Sequence, residues 1–307
     1  MIINPVYEIS LNILVTGGAG FIGRYLAEHL LNNNQITIYD DLSNRSMEKI
    51  SFLINRGVKF IRGDVLDFEK LLENSKNFDV IIHLAAKSDV AESVIHPKDT
   101  INVNLNGTIN VLKCCVQNKI RKIIFASSAA VYGDHENIIS EKSVTNPLSP
   151  YGKSKLDAEI QIRKFADEFG FDAVILRLFN VYGKGQNDQY AGVISKFLKN
   201  IAENKPLIIY GDGNQSRDFV SVYDVIRAIE CAISSENSGT YNIASGKSIS
   251  VNELAEMMIL SSGKKLDIIH KEQKKGDIKN SMADVSLAEE SLRFSAKRIL
   301  ANELSRP

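Results

Sequence analysis

Residues 11–23 read "LNILVTGGAGFIG". An apolar run ends at Thr16, and Gly17, Gly20 and Gly23 follow in a G-x-x-G-x-x-G spacing. Helical spacing resumes at once in "AGFIGRYLAEHLLNN" (19–33). The pattern is strand, tight turn, helix. Glycine is needed where the turn takes positive φ and where backbone must approach a pyrophosphate. The helix start then offers free N–H groups and the positive end of its dipole. Gly17, Gly20, Phe21, Ile22 and Gly23 are therefore candidate dinucleotide-binding residues.

Working outward, the same alternation continues. "QITIYD" (35–40), "VKFIRG" (58–63), "DVIIHLA" (79–85), "RKIIFAS" (121–127) and "FDAVILRL" (171–178) read as strands. Helical stretches near 46–55, 67–75, 97–118 and 150–169 separate them. Strands this continuously apolar must be covered on both faces, which predicts an α/β fold with a doubly wound parallel sheet. The second half is less regular. A helix is expected over 189–203, a strand at "KPLIIYG" (205–211), a helix over 222–235 and a strand at "GTYNIAS" (239–245). "SVNE" (250–253) matches a capping box that opens a further helix. The expected division is 1–180 as dinucleotide-binding domain, with 216–249 returning to it. Residues 181–215 and 250–307 then form a smaller substrate lobe.

Composition narrows the function classes. Lys+Arg and Asp+Glu both number 37, so the formal charge is zero. Nucleic-acid and membrane-surface partners, which select a basic excess, are not expected. The three cysteines, Cys114, Cys115 and Cys231, show no C-x-x-C, and the five histidines show no ligand spacing, so no metal is expected. The N-terminus "MIINPVYEISLN" does not read as a signal peptide, and no apolar run is long enough for a membrane span. A reducing cytoplasm fits.

Asp40 closes the second strand, 17 residues beyond Gly23. A carboxylate there can accept both adenosine ribose hydroxyls and repels a 2′-phosphate, so NAD is favoured over NADP. Arg45 is the neighbour that a 2′-phosphate would use. Asn44, Asp64 and Val65 are further cofactor candidates. The small residues of "HLAAKS" (83–88), with Leu84, Ala85 and Ala86, let a dinucleotide lie against the backbone. His83 reads as a core histidine. "SPYGKSKLDAEIQIRKFADEFG" (149–170) is a helix with Ser149 as cap, Pro150 at its first position and Gly170 at its stop. Tyr151 and Lys155 share one helical face. A phenol is a poor base at neutral pH. A nearby ammonium and a cationic nicotinamide would lower its pKa and let it remove a hydroxyl proton while hydride leaves the same carbon.

Together these motifs resemble the extended short-chain dehydrogenase/reductase superfamily and, within it, the NAD-dependent nucleotide-sugar 4-epimerases typified by UDP-glucose 4-epimerase. The resemblance spans residues 11–292. It rests on "TGGAGFIG", "HLAAKSDVAES", "NVNLNGT" (102–108), "SSAAVYG" (127–133), "YGKSK", "LRLFNVYG" (176–183), "GDGNQSRDFVSVYDV" (211–225) and "KKGDIKNSMAD" (274–284). It implies a Rossmann domain with NAD, a UDP-sugar as substrate, and a homodimer formed through helices 97–118 and 150–169. It also implies that Ser128 assists Tyr151 in proton transfer, that Lys155 holds the nicotinamide ribose, and that Asn104 and Ser127 line the cofactor site. Ser88 and Asn180 are placed on the substrate side. Arg217 would pair with the diphosphate, whose oxygens suit a guanidinium. Lys274 supplies charge where the family pattern has Arg, Asp277 accepts a uridine ribose hydroxyl, and Ser281 lies beside the sugar. Relatives of this group continue past the last helix where this chain ends in "SAKRILANELSRP", so the small lobe is where departures are expected.

Ala129 and Ala130 select within the resemblance. Nucleotide-sugar dehydratases carry Asp-Glu at this pair and UDP-glucuronate decarboxylases a Glu at the second position. Alanine transfers no proton, which leaves epimerisation. A small residue at Ser281 favours N-acetylated sugars alongside glucose and galactose. The alternatives are UDP-glucuronate 4-epimerisation, another nucleotide-sugar oxidoreductase or dehydratase, and a non-catalytic NAD sensor.

Overall fold

The computed structural model describes residues 10–44, 46–186, 192–273 and 278–304. The strands are β1 (Asn12–Thr16), β2 (Gln35–Asp40), β3 (Lys59–Arg62), β4 (Val80–His83), β5 (Lys122–Ser128) and β6 (Asp172–Leu178). They continue as β7 (Asn180–Tyr182), β8 (Leu207–Tyr210), β9 (Ser216–Ser221), β10 (Gly239–Ile243), β11 (Ser248–Ser250) and β12 (Ile268–Lys271). Seven of them form one parallel sheet in the order β10-β6-β5-β4-β1-β2-β3. The chain starts at the centre, winds outward through β2 and β3, then restarts at β4 on the other side of β1. The carboxyl ends of β1 and β4 therefore flank the switch point, where an open α/β sheet leaves a crevice for ligand.

Both faces of this sheet are buried, as the apolar runs require. Ile13, Val15, Ile36 and Ile38 pack against Leu26, Ala27, Val225 and Ile229 on one side. Leu14, Ile81, Ile123 and Phe125 pack against Val111, Leu112, Ala158 and Ile162 on the other. The helix Pro150–Phe169 has the expected boundaries: Ser149 accepts from the Gly152 N–H, and Gly170 stops it at φ +72°. Ser250 and Glu253 make both bonds of the capping box.

The stretch 97–118 is not one helix. It comprises Pro97–Ile101, a π-helical turn Asn102–Asn106 and Gly107–Gln117. The remaining strands are short. β7 pairs parallel with β9, β9 antiparallel with β11, and β8 parallel with β12. They pack with Phe197, Leu254 and Met258 around a second, smaller core. Within the returning stretch, the helix Val222–Ser234 and β10 sit on the large sheet while β9 and β11 build the small one. No helix of the described residues is long and apolar enough to cross a membrane.

Candidate active site

A cleft of about 630 Å³ opens at the carboxyl ends of β1, β4 and β5. Gly17, Gly20, Phe21, Ile22 and Gly23 line one wall, with Asp40, Asn44, Asp64 and Val65 beyond them. Leu84, Ala85, Ala86 and Ser88 line the floor, and Ser127, Ser128, Tyr151 and Lys155 close the far end. The topology alone brings these residues together from six separate stretches of sequence.

The glycine turn fits tightly onto the end of β4. Gly17 has φ +69°, and a Cβ there would lie 2.5 Å from the Ala85 backbone nitrogen. Asp40 is fixed at the cleft wall, accepting from Ala19 N–H at 3.0 Å and Leu42 N–H at 2.9 Å. A carboxylate oxygen accepts more than one hydrogen bond, so this group can still take a ribose diol. Glycine turn, helix start and anchored carboxylate together fit a dinucleotide. Arg45 lies outside the described residues.

His83 is a core histidine. It is buried between the Thr16 hydroxyl at 2.6 Å and the Thr108 hydroxyl at 3.0 Å. Burial first, and the Lys155 charge second, lower its pKa to about 3, so it stays neutral. Lys155 is buried too. Its Nζ donates to the Ala126 carbonyl at 2.8 Å and sits 4.6 Å above the Phe125 ring. Desolvation lowers its pKa to about 7, opposed by the charge of Glu159.

Tyr151 is buried, which raises its pKa, and its hydrogen bond with Ser128 opposes that shift. Ser128 also accepts from the Ala130 N–H at 3.1 Å, capping the short turn Ala129–Val131. That turn touches the helix where Gly152 follows Tyr151: a Cβ at Gly152 would meet the Ala130 carbonyl at 2.5 Å.

Asn104 needs correction. It stands behind the cleft rather than in its lining. Its amide accepts from the Lys87 N–H at 2.8 Å and donates to the Lys87 carbonyl at 3.0 Å and to Ser154 Oγ at 2.9 Å. Ser154 in turn donates to the Tyr151 carbonyl at 2.7 Å. The π-helical turn thus uses Asn104 to clamp the loop after β4 to the Tyr151 helix. Ser127 lines the cleft, but its hydroxyl donates to the buried Glu159 carboxylate at 2.5 Å.

Of the expected substrate residues, Ser88, Ser128 and Tyr151 line the main cleft, whereas Asn180, Arg217 and Ser281 do not. Arg217 stands on β9 beside Asp218, whose buried carboxylate accepts from Ser245 N–H and Oγ, from Gly246 N–H and from Ala283 N–H at 2.7 to 3.3 Å. The Asp218 backbone carbonyl accepts from the Asn180 amide at 3.1 Å. Asp218 thus joins β9 to the segments around Ser245 and Ala283, the latter two residues from Ser281, and no motif reading singled it out. Lys274 and Asp277 lie outside the described residues. Among the described residues no three side chains form a metal-holding cluster.

The model of the NAD dependent epimerase/dehydratase family matches residues 13–244. The chain belongs to this family. Three solved members illustrate the likeness. A UDP-N-acetylglucosamine 4-epimerase from Methanobrevibacter ruminantium M1, solved with UDP-N-acetylmuramic acid, is 35% identical with a TM-score of 0.91 over 96% of each chain. A UDP-glucose 4-epimerase from Thermotoga maritima, solved with UDP-glucose, is 32% identical with a TM-score of 0.92 over 96% of each chain. A UDP-glucuronic acid 4-epimerase from Bacillus cereus, solved with UDP-glucuronic acid and NAD, is 33% identical with a TM-score of 0.88 over 96% of each chain. As a member of this epimerase/dehydratase family the chain is an NAD-dependent enzyme, and the cleft described above is where its residues fit that cofactor.

Proposed function

We propose that this enzyme epimerises UDP-sugars at C4 through a transient 4-keto sugar. It would interconvert UDP-glucose with UDP-galactose and UDP-GlcNAc with UDP-GalNAc. NAD, when bound, supplies the acceptor for the C4 hydride and its return. Tyr151 takes the 4-hydroxyl proton with Ser128 as relay and gives it back once the keto sugar has turned over in the site. Lys155 holds the cofactor ribose and, as an ammonium, favours the phenolate. The observation that carries the reading is the turn after Ser128. Ala129 and Ala130 put no acid beside the catalytic pair, so nothing there drives water loss or decarboxylation. The chain returns its hydride, and NAD is not consumed.

The sugar range rests on Ser281, a buried small residue at the edge of the small lobe. The second reading, UDP-glucuronate epimerisation, is favoured by the likeness to the Bacillus cereus enzyme. A homodimer is also proposed: Val90, Val94, Ile95, Ile101 and Ile160 are all exposed on helices that pack together, an apolar face suited to a second copy. The deciding experiment offers UDP-glucose, UDP-GlcNAc, UDP-glucuronate and their C4 epimers separately and follows products by NMR. Equilibration of the first two pairs without added NAD is expected. Dehydrated or decarboxylated product, or stoichiometric NADH, would sink the reading.

A further inference from the structure

Tyr151, Lys155 and Glu159 follow one another at single-turn intervals, so all three share the face of their helix that covers β5 and β6. Glu159 has no exposed surface at all. The sheet register explains how a carboxylate is tolerated there. Ser127 of β5 and Arg177 of β6 are direct cross-strand partners, and both reach the same side chain. Ser127 Oγ donates to Glu159 Oε1 at 2.5 Å. Arg177 Nε donates to Oε1 at 3.0 Å and its terminal nitrogen to Oε2 at 2.6 Å, a bidentate fork. Arg163, half-exposed, adds a contact at 3.3 Å.

The Arg177 guanidinium also lies 4.7 Å over the Tyr132 ring and donates to the Glu141 carbonyl. Glu159 stands one helical turn from Lys155 on the same buried face. Lys155 otherwise meets the Ala126 carbonyl and the Phe125 ring on β5, its charge acts on His83 of β4, and Tyr151 stands one turn before it on its own helix. Among these described groups, Glu159 carries the one negative charge that acts on Lys155.

We propose that Glu159 is a positioning residue of the catalytic helix: anchored by Ser127 and Arg177, its carboxylate keeps Lys155 an ammonium and so sets the alkaline limit of turnover. A lysine in a dry core is readily neutralised. A neutral Lys155 can neither favour the phenolate nor serve the relay. Ser127 accordingly works through Glu159, with its single proton given to the carboxylate rather than to a ligand.

This inference rests on the epimerase reading, and the test separates the two. Lysine 13Cε resonances of the full-length protein are followed against pH, alongside the pH dependence of turnover. In Glu159→Gln, Lys155 should titrate about one pH unit or more below the parent, and the alkaline limb of turnover should move with it, roughly tenfold in rate at a fixed pH on that limb. Glu159→Asp keeps the charge and should leave both near the parent. Glu159→Gln leaves Arg177 buried without its partner, which is costly. Glu159→Leu combined with Arg177→Met removes both charges, and should shift Lys155 in the same direction as Gln. An unchanged Lys155 titration in Glu159→Gln or in the double variant overturns the inference. If the parent turns over no UDP-sugar, the function reading fails while the titration still decides whether Glu159 governs Lys155.

Discussion

The cofactor half and the substrate half of this molecule are held together in different ways. The first is a seven-stranded sheet buried on both faces, and its site residues stand on strand ends and one long helix. The second is two sheets of three and two strands, and the single carboxylate of Asp218 ties β9 to the segments around Ser245 and Ala283. On the function proposed, the chemistry common to all substrates falls to the half with the large sheet, and discrimination between sugars to the half with less packing behind it. Changes in the first should affect every UDP-sugar alike, and changes in the second should separate one sugar from another or alter affinity alone.

The largest effect belongs to the rigid half. Tyr151→Phe keeps the ring and removes the proton carrier. Turnover should fall by on the order of 10²–10⁴ for every accepted UDP-sugar, with NAD still retained. A loss confined to one sugar would break the division of labour.

Acid should divide the halves with opposite sign. His83 in the cofactor half has its pKa lowered by burial from 6.5 to about 3. The unfolded chain binds its proton first, so stability falls as pH drops from about 6.5 towards 3, by about 3 kcal/mol at pH 4. Asp218 in the substrate half has its pKa raised by burial. Its folded form gains the proton first, so acidification relieves a cost there instead. Hydrogen exchange at pH 7 and pH 4.5 should show β1 and β4 losing protection before β9. His83→Asn should remove most of that acid loss. Earlier opening of β9 would reverse the comparison.

Asp218→Asn should be milder and confined to the substrate half. One carboxylate oxygen becomes an amide donor facing backbone N–H groups, a mismatch of roughly 1–3 kcal/mol. KM for UDP-sugars should rise about tenfold or more, with NAD retention unchanged. Loss of NAD with an unaltered KM would show that Asp218 serves the wrong half.

The unequal packing also explains what could be read from the sequence. β2 and the helix Pro150–Phe169 have the boundaries expected from "QITIYD" and from Ser149, Pro150 and Gly170, because apolar runs and end signals agree there. β7, β9, β11 and β12 were not foreseen as strands. They run three to six residues, and their polar side chains carry no period. The π-helical turn is invisible to a 3.6-residue period, and it turns Asn104 from a cleft residue into a clamp behind it. No motif marks Glu159 in the sequence. Only the register of Ser127 against Arg177 makes it a buried carboxylate. The glycine turn, Asp40, Ser128, Tyr151 and Lys155 were legible because each is a residue type that its chemistry requires at a strand end or helix start. The burial of Tyr151 was not, since burial depends on what the whole fold excludes.

The smallest change to the shared chemistry, and the sharpest test of the division, is Ser281→Tyr. Ser281 is 7% exposed and lies two residues before Ala283, whose N–H is bonded to Asp218. At a position proposed to border the sugar, a tyrosine would take up the room that an N-acetyl group needs. UDP-glucose and UDP-galactose need less room than their N-acetylated counterparts. Turnover of UDP-GlcNAc and UDP-GalNAc should fall by about tenfold to a hundredfold, a difference of about 1–3 kcal/mol. Turnover of UDP-glucose and UDP-galactose should stay near that of the parent. Competition assays with both sugar pairs in one tube, read by NMR, give the ratio directly. An equal fall for both pairs would mean that Ser281 supports the lobe rather than gating the sugar. No fall for either would place the gate elsewhere on the small sheet.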